Sequence, residues 1–304
     1  MSNPTVFVTS ATGTQGEAVA RQLRQLGWNV RATVRDPNAA PAKHLESLGV
    51  SLTTGDWDNR EALKAAISGS DRLFLNLRPT MEDMGVERVQ AKRILDVAKE
   101  AGVKHVVYSS SVSVDKLHEI TLEPNSIVAQ ALYSKEAIEE LVRSAGFESW
   151  TILRGPFFMA NFLEPKIRMY PGLVETNNWT IALRPDTPMP MVDCEDLGKF
   201  AVAAFQDPAR FHSHGITVAG DVLTPPQMME QLSAATGREL KAVFLTDEEI
   251  EAQAATNPFV TGQLIMRNIY KFVELDQVRS WGIPVNTFKA FLERETQAIK
   301  ETWH

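Results

Sequence analysis

Short apolar runs alternate with longer segments of helical period over the first 155 residues of this 304-residue chain. The runs have the length of β-strands and span residues 5–9, 29–34, 50–54, 72–77, 105–111 and 150–153. Between them, apolar side chains recur at helical spacing in residues 17–26, 43–48, 82–101 and 133–145. This alternation is typical of βαβ units that build a parallel sheet, and strands this apolar predict burial on both faces.

The regular alternation fades after Arg154, where the chain becomes richer in proline and methionine. Prolines such as Pro185, Pro188 and Pro190 break this part into short helices and strands. We therefore predict an α/β fold, with a Rossmann-type doubly wound parallel sheet and a smaller C-terminal α/β lobe. Residues 1–155 would form the Rossmann domain. Residues 156–304 would form a lobe that is interleaved with the sheet edge and binds a substrate or a partner.

A loop with two glycines joins the first predicted strand to the first predicted helix. Such a loop brings phosphates close to the backbone N–H groups and the partial positive charge of a helix N-terminus. Ser10 stands where the usual fingerprint has a further glycine, so the pattern alone is weak, and an ordinary βα turn is the alternative. The position of this loop in the first βαβ unit favours a phosphate site. The predicted residues are Ser10, Ala11, Thr12, Gly13, Thr14, Gln15 and Gly16.

Arg35 follows the second predicted strand, 19 positions after Gly16. In NAD-binding proteins an acidic residue near this position bonds the ribose 2′-hydroxyl. A guanidinium instead pairs with a 2′-phosphate and stacks on adenine, which favours NADP(H) over NAD(H). Asp36 is adjacent, and the alternative is that Arg35 is only a solvated turn residue.

Several segments together resemble the NmrA-like family of atypical short-chain dehydrogenase/reductases. They are VTSATGTQG, TVRDPN, GDWDN, VVYSSS, YSKEAIEELVRSAG and RGPFFMANF, and the resemblance extends through DCEDLGKFAVAAFQDP and GITVAGDVLTPPQMMEQLSAATGREL. The resemblance implies that NADP(H) rests on residues 10–15, with Arg35 at the 2′-phosphate. It further implies Asp56 and Trp57 near the adenine, Asn76, Leu77 and Arg78 beside the diphosphate and inner ribose, Lys135 at the nicotinamide ribose, and Phe157, Phe158 and Asn161 near the nicotinamide.

The catalytic residues depart from the pattern of typical short-chain dehydrogenases. Typical short-chain dehydrogenases place a tyrosine four residues before the lysine, one helical turn away, but this chain has Ala131 there. Tyr133 lies only two positions before Lys135, about 200° around a helix, and would face Lys135 only if the helix began there. By resemblance to the isoflavone-reductase-like branch, Lys135 would be the acid/base group; alternatively it only bonds the ribose. Ser110 would orient a carbonyl or cap the strand.

The composition narrows the function further. A net charge of −7 argues against direct nucleic-acid binding, and no apolar stretch approaches the length of a membrane span. Cys194 stands alone and the six histidines lack ligand spacing, so we expect no disulfide, no metal site and a cytoplasmic location.

Three functions remain open: an NADPH-dependent reductase of a hydrophobic small molecule, an NADP(H)-sensing regulator that acts through a protein partner, and a non-redox enzyme such as a cyclase. The chain would be a monomer or homodimer.

Overall fold

The computed structural model describes residues 3–78, 80, 83 and 85–304. Its strands are β1 Thr5–Val8, β2 Asn29–Val34, β3 Ser51–Thr54, β4 Arg72–Leu75, β5 His105–Ser111, β6 Ser149–Gly155, β7 Phe157–Phe158, β8 Asn178–Ile181, β9 Met189–Val192, β10 His214–Thr217, β11 Asp221–Leu223 and β12 Lys241–Phe244. Its α-helices are α1 Thr14–Gln25, α2 Ala40–Ser47, α3 Arg60–Ile67, α4 Val86–Glu100, α5 Ile127–Ser144, α6 Leu173–Thr176, α7 Cys194–Gln206, α8 Pro208–Phe211, α9 Pro225–Thr236, α10 Asp247–Ala254, α11 Pro258–Met266, α12 Leu275–Ser280, α13 Phe288–Arg294 and α14 Thr296–Thr302. Turns of 3₁₀ helix cover Val114–Glu119, Met159–Phe162, Lys166–Met169 and Ile269–Phe272.

The large sheet has seven strands in the order β10-β6-β5-β4-β1-β2-β3. β1 pairs in parallel with both β2 and β4, and the same orientation continues to β3 and β5. The chain first moves outward from β1 to β3, then returns to β4 and moves outward in the other direction. This doubly wound order confirms the predicted Rossmann-type fold. It also places the reversal point, where such sheets bind ligands, between the carboxyl ends of β1 and β4.

Burial in this sheet follows the position of each strand. In β1 and β4 the last three residues are fully buried, and β5 is buried from Val106 to Ser110. β3 has no fully buried residue, because it is the edge strand. The prediction of burial on both faces is therefore wrong for β3.

The helix that carries Lys135 begins earlier than the sequence predicted. Residues 133–145 were expected to be helical, but α5 starts at Ile127, where the Ser126 hydroxyl accepts a hydrogen bond from the Ala129 N–H at 3.1 Å. A serine in this position satisfies one of the N–H groups that a helix start leaves unpaired. The helix predicted over 82–101 is observed from Val86, and Glu82 lies outside the described residues.

The chain divides into two compact units. The first consists of Met1–Val114, Gln130–Arg154 and Leu197–Ile216, and the second of Asp115–Ala129, Gly155–Asp196 and Thr217–His304. The sequence predicted a boundary at residue 155, with the C-terminal lobe interleaved with the sheet edge. In the structure Leu197–Ile216 belongs to the first unit, and β10 joins the large sheet beside β6.

The second unit has a core of its own. β9 pairs in parallel with β7 and antiparallel with β11, and β8 pairs in parallel with β12. Aromatic and methionine side chains fill the space between these strands and the nearby helices, among them Trp179, Phe162, Met189, Met228 and Phe288. Across the described part of the chain, no helix combines the length and the apolar character needed to cross a bilayer.

Candidate active site

The loop between β1 and α1 folds tightly onto itself. The Gly13 N–H donates to the Ser10 carbonyl oxygen at 2.9 Å, and a Cβ on Gly16 would lie only 2.3 Å from that oxygen. Ser10 has a φ of +49°, in the left-handed region that favours glycine. Its hydroxyl donates to the Asn76 carbonyl oxygen at 2.9 Å. The residue that replaces the usual first glycine thus adopts a glycine-like conformation and ties the loop to the end of β4.

The start of α1 is open to an anion. Gly13 is the N-cap residue and has no side chain that could accept from the N–H groups of the first turn. Thr12, Gly13 and Thr14 are all exposed. Because a helix N-terminus carries a partial positive charge, this arrangement suits a phosphate group.

The ends of β1 and β4 are joined by hydrogen bonds. The Asn76 N–H donates to the Thr9 hydroxyl at 2.7 Å, and that hydroxyl donates to the Asn76 carbonyl oxygen at 2.8 Å. Leu77 is buried in the core of the first unit, whereas Arg78 is exposed. Asn76 and Arg78 therefore offer side chains at this edge, while Leu77 offers its backbone.

The predicted adenine end lies at β2 and β3. The Gly55 N–H donates to the Val34 carbonyl oxygen at 2.9 Å, so the segments carrying Arg35 and Asp56 leave neighbouring strands together. Trp57 is half-buried, and its indole N–H donates to the Thr33 hydroxyl at 3.1 Å. Arg35 and Asp56 are both exposed. The structure brings these three predicted residues to one end of the carboxyl edge.

Lys135 forms an ion pair with a carboxylate that is completely enclosed. Its Nζ lies 2.8 Å from Oε1 of Glu87, in the first turn of α4, and the Ser134 hydroxyl lies 3.4 Å from Oε2 of the same group. The exposed fraction is 17% for the Lys135 side chain and 0% for Glu87. A buried charge of this kind needs its partner, so the ion pair fixes the ammonium group in position.

Two hydroxyl groups of β5 lie buried in the same unit. Tyr108 and Ser110 are two positions apart, so they share a face of the strand. Tyr108 Oη and Ser110 Oγ both lie outside hydrogen-bond geometry with any partner among the described residues, although Ser110 is close enough to act on the Tyr108 hydroxyl. Burial, together with the charges of Glu87 and Glu139, raises the pKa of Tyr108 well above its usual range, while the Ser110 hydroxyl opposes this shift. On the other face, the Ser109 hydroxyl donates to Gln15 Oε1 at 2.6 Å.

Tyr133 is not brought together with Lys135. Six helical residues precede Tyr133 in α5, so the condition under which it would face Lys135 is not met. Its side chain is 40% exposed, whereas Lys135 points into the protein. We therefore leave Tyr133 out of the proton-transfer residues, and Ala131 provides no hydroxyl in its place.

Phe157, Phe158 and Asn161 belong to the second unit. Phe157 is buried, with its ring 5.6 Å from that of Phe162, and Phe158 is half-buried with Lys166 Nζ 5.4 Å from its ring. Asn161 forms a side-chain hydrogen bond with Tyr170. Their role near a nicotinamide stays a prediction from the family resemblance.

The sequence analysis missed Glu87 and Tyr108. A signal for Glu87 was present, since Glu87, Ala91 and Ile94 follow the spacing of the buried stripe of α4 and only Glu87 is charged. Tyr108 was recognised as part of a strand, but a strand pattern does not indicate whether a buried hydroxyl finds a partner. In the described part of the chain, no three His, Cys, Asp or Glu side chains converge as metal ligands would.

Known proteins resemble this chain over nearly its whole length. The model of the NmrA-like family matches residues 2–291. The NmrA-like family domain-containing oxidoreductase notA of Aspergillus sp. (strain MF297-2) is 31% identical over 271 residues, which cover 81% of this chain and 77% of the relative. The NAD(P)H azoreductase of Xenophilus azovorans is 27% identical over 97% of this chain and 99% of its own. Among solved structures, the negative transcriptional regulator NmrA in complex with NADP has a TM-score of 0.75 and 22% identity, covering 99% of this chain and 98% of that one.

Proposed function

Because the chain belongs to the NmrA-like family, we propose that it is an NADP(H)-dependent reductase of a hydrophobic small molecule, with Lys135 as the proton donor. The observation that carries the proposal is the position of Lys135. Its ammonium group is held by Glu87 in the unit that contains the phosphate loop. Relatives named as oxidoreductases support the redox class, and the buried lysine gives that class a source of protons.

The residues at the carboxyl edge fit a nicotinamide dinucleotide. Gly16 leaves no room for a Cβ, and the exposed start of α1 suits a diphosphate. Asn76 and Arg78 would hold the diphosphate and inner ribose. Arg35, exposed at the end of β2, would pair with a 2′-phosphate, which is the basis for proposing NADP(H) over NAD(H).

The proposed chemistry divides between the cofactor and the chain. When bound, NADPH would supply a hydride, which is one hydrogen nucleus with two electrons, to the electrophilic atom of a polarised double bond. Lys135 would give a proton from Nζ to the other atom of that bond, and it would regain a proton from water. Ser110, whose hydroxyl is buried without a hydrogen-bond partner in the described part of the chain, would donate a hydrogen bond that orients the substrate.

The relatives suggest which acceptors to test first. The relative from Xenophilus azovorans is named as an NAD(P)H azoreductase. We therefore propose azo compounds, quinones and enones as the first acceptors to test.

Two measurements test the proposal. Calorimetric titration with NADPH, NADP+, NADH and NAD+ should show tight binding of the phosphorylated pair. Single-turnover loss of NADPH fluorescence with the acceptors should then report hydride transfer. Ser110→Ala should slow that step, whereas Ser111→Ala, on the opposite face of β5, should leave it unchanged. Tight NADPH binding without turnover of any acceptor would remove the reductase proposal.

A second candidate is an NADP(H)-sensing regulator. It is favoured by the similarity to NmrA, named as a negative transcriptional regulator, and by Ala131 in place of the usual tyrosine. A sensor must bind the oxidised and reduced cofactors with different affinities, or bind a partner differently in the two states. Unequal affinities for NADPH and NADP+ without turnover would favour this function. Equal affinities, with neither turnover nor a partner whose binding depends on the cofactor form, would leave the non-redox enzyme.

A further inference from the structure

We infer that Glu87 is a positioning residue for the proposed reaction, which holds the Lys135 ammonium where it gives its proton to the substrate. The inference rests on the proposed function for its chemistry, but the ion pair itself is a feature of the structure. None of the segments that carry the family resemblance contains Glu87.

The carboxylate of Glu87 is bound on both of its oxygens by two consecutive residues of α5. Oε1 lies 2.8 Å from Lys135 Nζ and Oε2 lies 3.4 Å from the Ser134 hydroxyl. Glu87 is fully buried, and it lies in the first turn of α4, where the helix dipole stabilises a negative charge. Both ends of the contact are therefore on rigid helices, and the flexible lysine side chain is fixed at its tip.

A second buried carboxylate, which lies in α5 rather than α4, shows what a purely structural ion pair looks like. Glu139 accepts from Arg154 Nε at 2.9 Å and from Arg154 Nη2 at 2.7 Å. That two-pronged contact joins α5 to β6 and involves a guanidinium, which does not lose its proton in proteins. Glu87 differs because its partner is a lysine, whose ammonium group has two N–H bonds beyond the one given to Glu87 and can transfer one of these protons to a ligand.

The surroundings of the Glu87–Lys135 pair also favour chemistry over packing. Replacing a buried ion pair with apolar residues is often neutral or stabilising, so the pair is not explained by stability alone. Glu87 and a second buried carboxylate, Glu139 on α5, both act on Tyr108 of β5. Tyr108 and Ser110 bring two buried hydroxyls into the same unit, and neither has hydrogen-bond geometry with a partner among the described residues. Unpaired buried hydroxyls are costly unless a ligand or water satisfies them.

Glu87→Gln tests the inference directly, because it keeps the shape of the side chain and removes its charge. Misplacing the ammonium should lower kcat for acceptor reduction by about 100-fold while the Kd for NADPH stays unchanged. Glu136→Gln is the matched control, since Glu136 directly follows Lys135 in α5 but is exposed, and it should retain full kcat. Glu87→Asp keeps the negative charge but holds it farther from Lys135. It should therefore have a kcat between those of the wild type and Glu87→Gln.

A second measurement does not depend on any turnover. Competitive acylation, followed by peptide mass spectrometry, should find Lys135 slow to react and Lys92, which is 62% exposed, fast. In Glu87→Gln the Lys135 amine should react several-fold faster, with Lys92 unchanged as internal reference. If the Gln variant does not fold, Glu87→Asp, whose shorter side chain holds Lys135 less closely, should raise the reactivity of Lys135 by a smaller factor.

The two measurements separate the inference from the proposed function. If the wild-type protein reduces no acceptor but Lys135 acylation rises in Glu87→Gln, the reductase proposal fails and Glu87 still positions Lys135. If the wild-type protein turns over and the folded Glu87 variants keep wild-type kcat and wild-type acylation of Lys135, the inference about Glu87 is wrong.

Discussion

The two ends of the carboxyl edge of the sheet are built in opposite ways. At β2 and β3, Arg35 and Asp56 lie in solvent, joined to the fold mainly by their backbone. At β5, Glu87 and Ser110 are buried, and Lys135 is nearly so. An exposed end can select a cofactor without contributing to stability. At the buried end, every polar group that serves chemistry also affects the free energy of unfolding.

Lys135→Met, at the buried end, should lower stability more than any other substitution considered. Removing the lysine leaves the Glu87 carboxylate buried without its cation, which should lower the free energy of unfolding by about 3 kcal/mol. Urea denaturation followed by circular dichroism measures the change. Arg35→Met, at the exposed end, should leave the same curve within about 0.5 kcal/mol of wild type.

The matched control for Lys135→Met is the double variant Glu87→Gln with Lys135→Met. It removes the orphaned charge and should recover most of the lost stability, because a neutral pair can pack without a charge to desolvate. If the double variant is as unstable as Lys135→Met alone, the loss arises from packing and the buried end owes nothing to electrostatics.

Gly16→Ala should have the next largest effect. The new Cβ would lie 2.3 Å from the Ser10 carbonyl oxygen, so the loop must open. We expect the free energy of unfolding to fall by about 1–3 kcal/mol and NADPH binding to weaken. Differential scanning fluorimetry with and without NADPH measures both. The control is Gly262→Ala in α11, where the nearest atom is 3.9 Å away and no loss is expected.

Arg35→Ala should affect the exposed end through ligand binding alone. Losing a charged contact to the 2′-phosphate should weaken the binding of NADPH by about 10- to 100-fold, which corresponds to about 1.5–3 kcal/mol of binding free energy. Calorimetry should find the affinity for NADH nearly unchanged. Arg60→Ala, a surface arginine of α3 that pairs with Glu100, is the control. Equal losses for NADPH and NADH in Arg35→Ala would remove the basis for preferring NADP(H).

The same contrast explains how much the sequence could predict. The fold and the tight loop at residues 10–16 could be predicted from the sequence because strand, turn and helix signals are local. The place of Arg35 directly after its strand could be predicted for the same reason, whereas cofactor binding by these residues stays a prediction. The pairing of Glu87 with Lys135 was not accessible, because the two residues are 48 positions apart and meet only when α4 and α5 pack. β10 was missed for a similar reason, since four residues carry no sign of which sheet they will join.

Tyr108→Phe should have the smallest effect, and its sign is informative. The substitution removes a buried hydroxyl that has no partner among the described residues, so the free energy of unfolding should rise by about 1 kcal/mol near neutral pH. The raised pKa means that the folded protein keeps Tyr108 neutral, whereas the unfolded chain ionises near pH 10. Stability linked to Tyr108 is therefore present below that pH and is lost as the pH rises above it.

Thermal unfolding of the wild type and Tyr108→Phe at neutral pH and above pH 10 should thus show a gap in Tm that widens under alkaline conditions. Tyr133→Phe, which alters an exposed tyrosine, should change Tm little at neutral pH. A lower Tm for Tyr108→Phe at neutral pH would mean that its hydroxyl is satisfied in solution, by water or by a neighbour. The β5 end would then be a completed polar network, and its unpaired hydroxyls would no longer argue for a bound substrate.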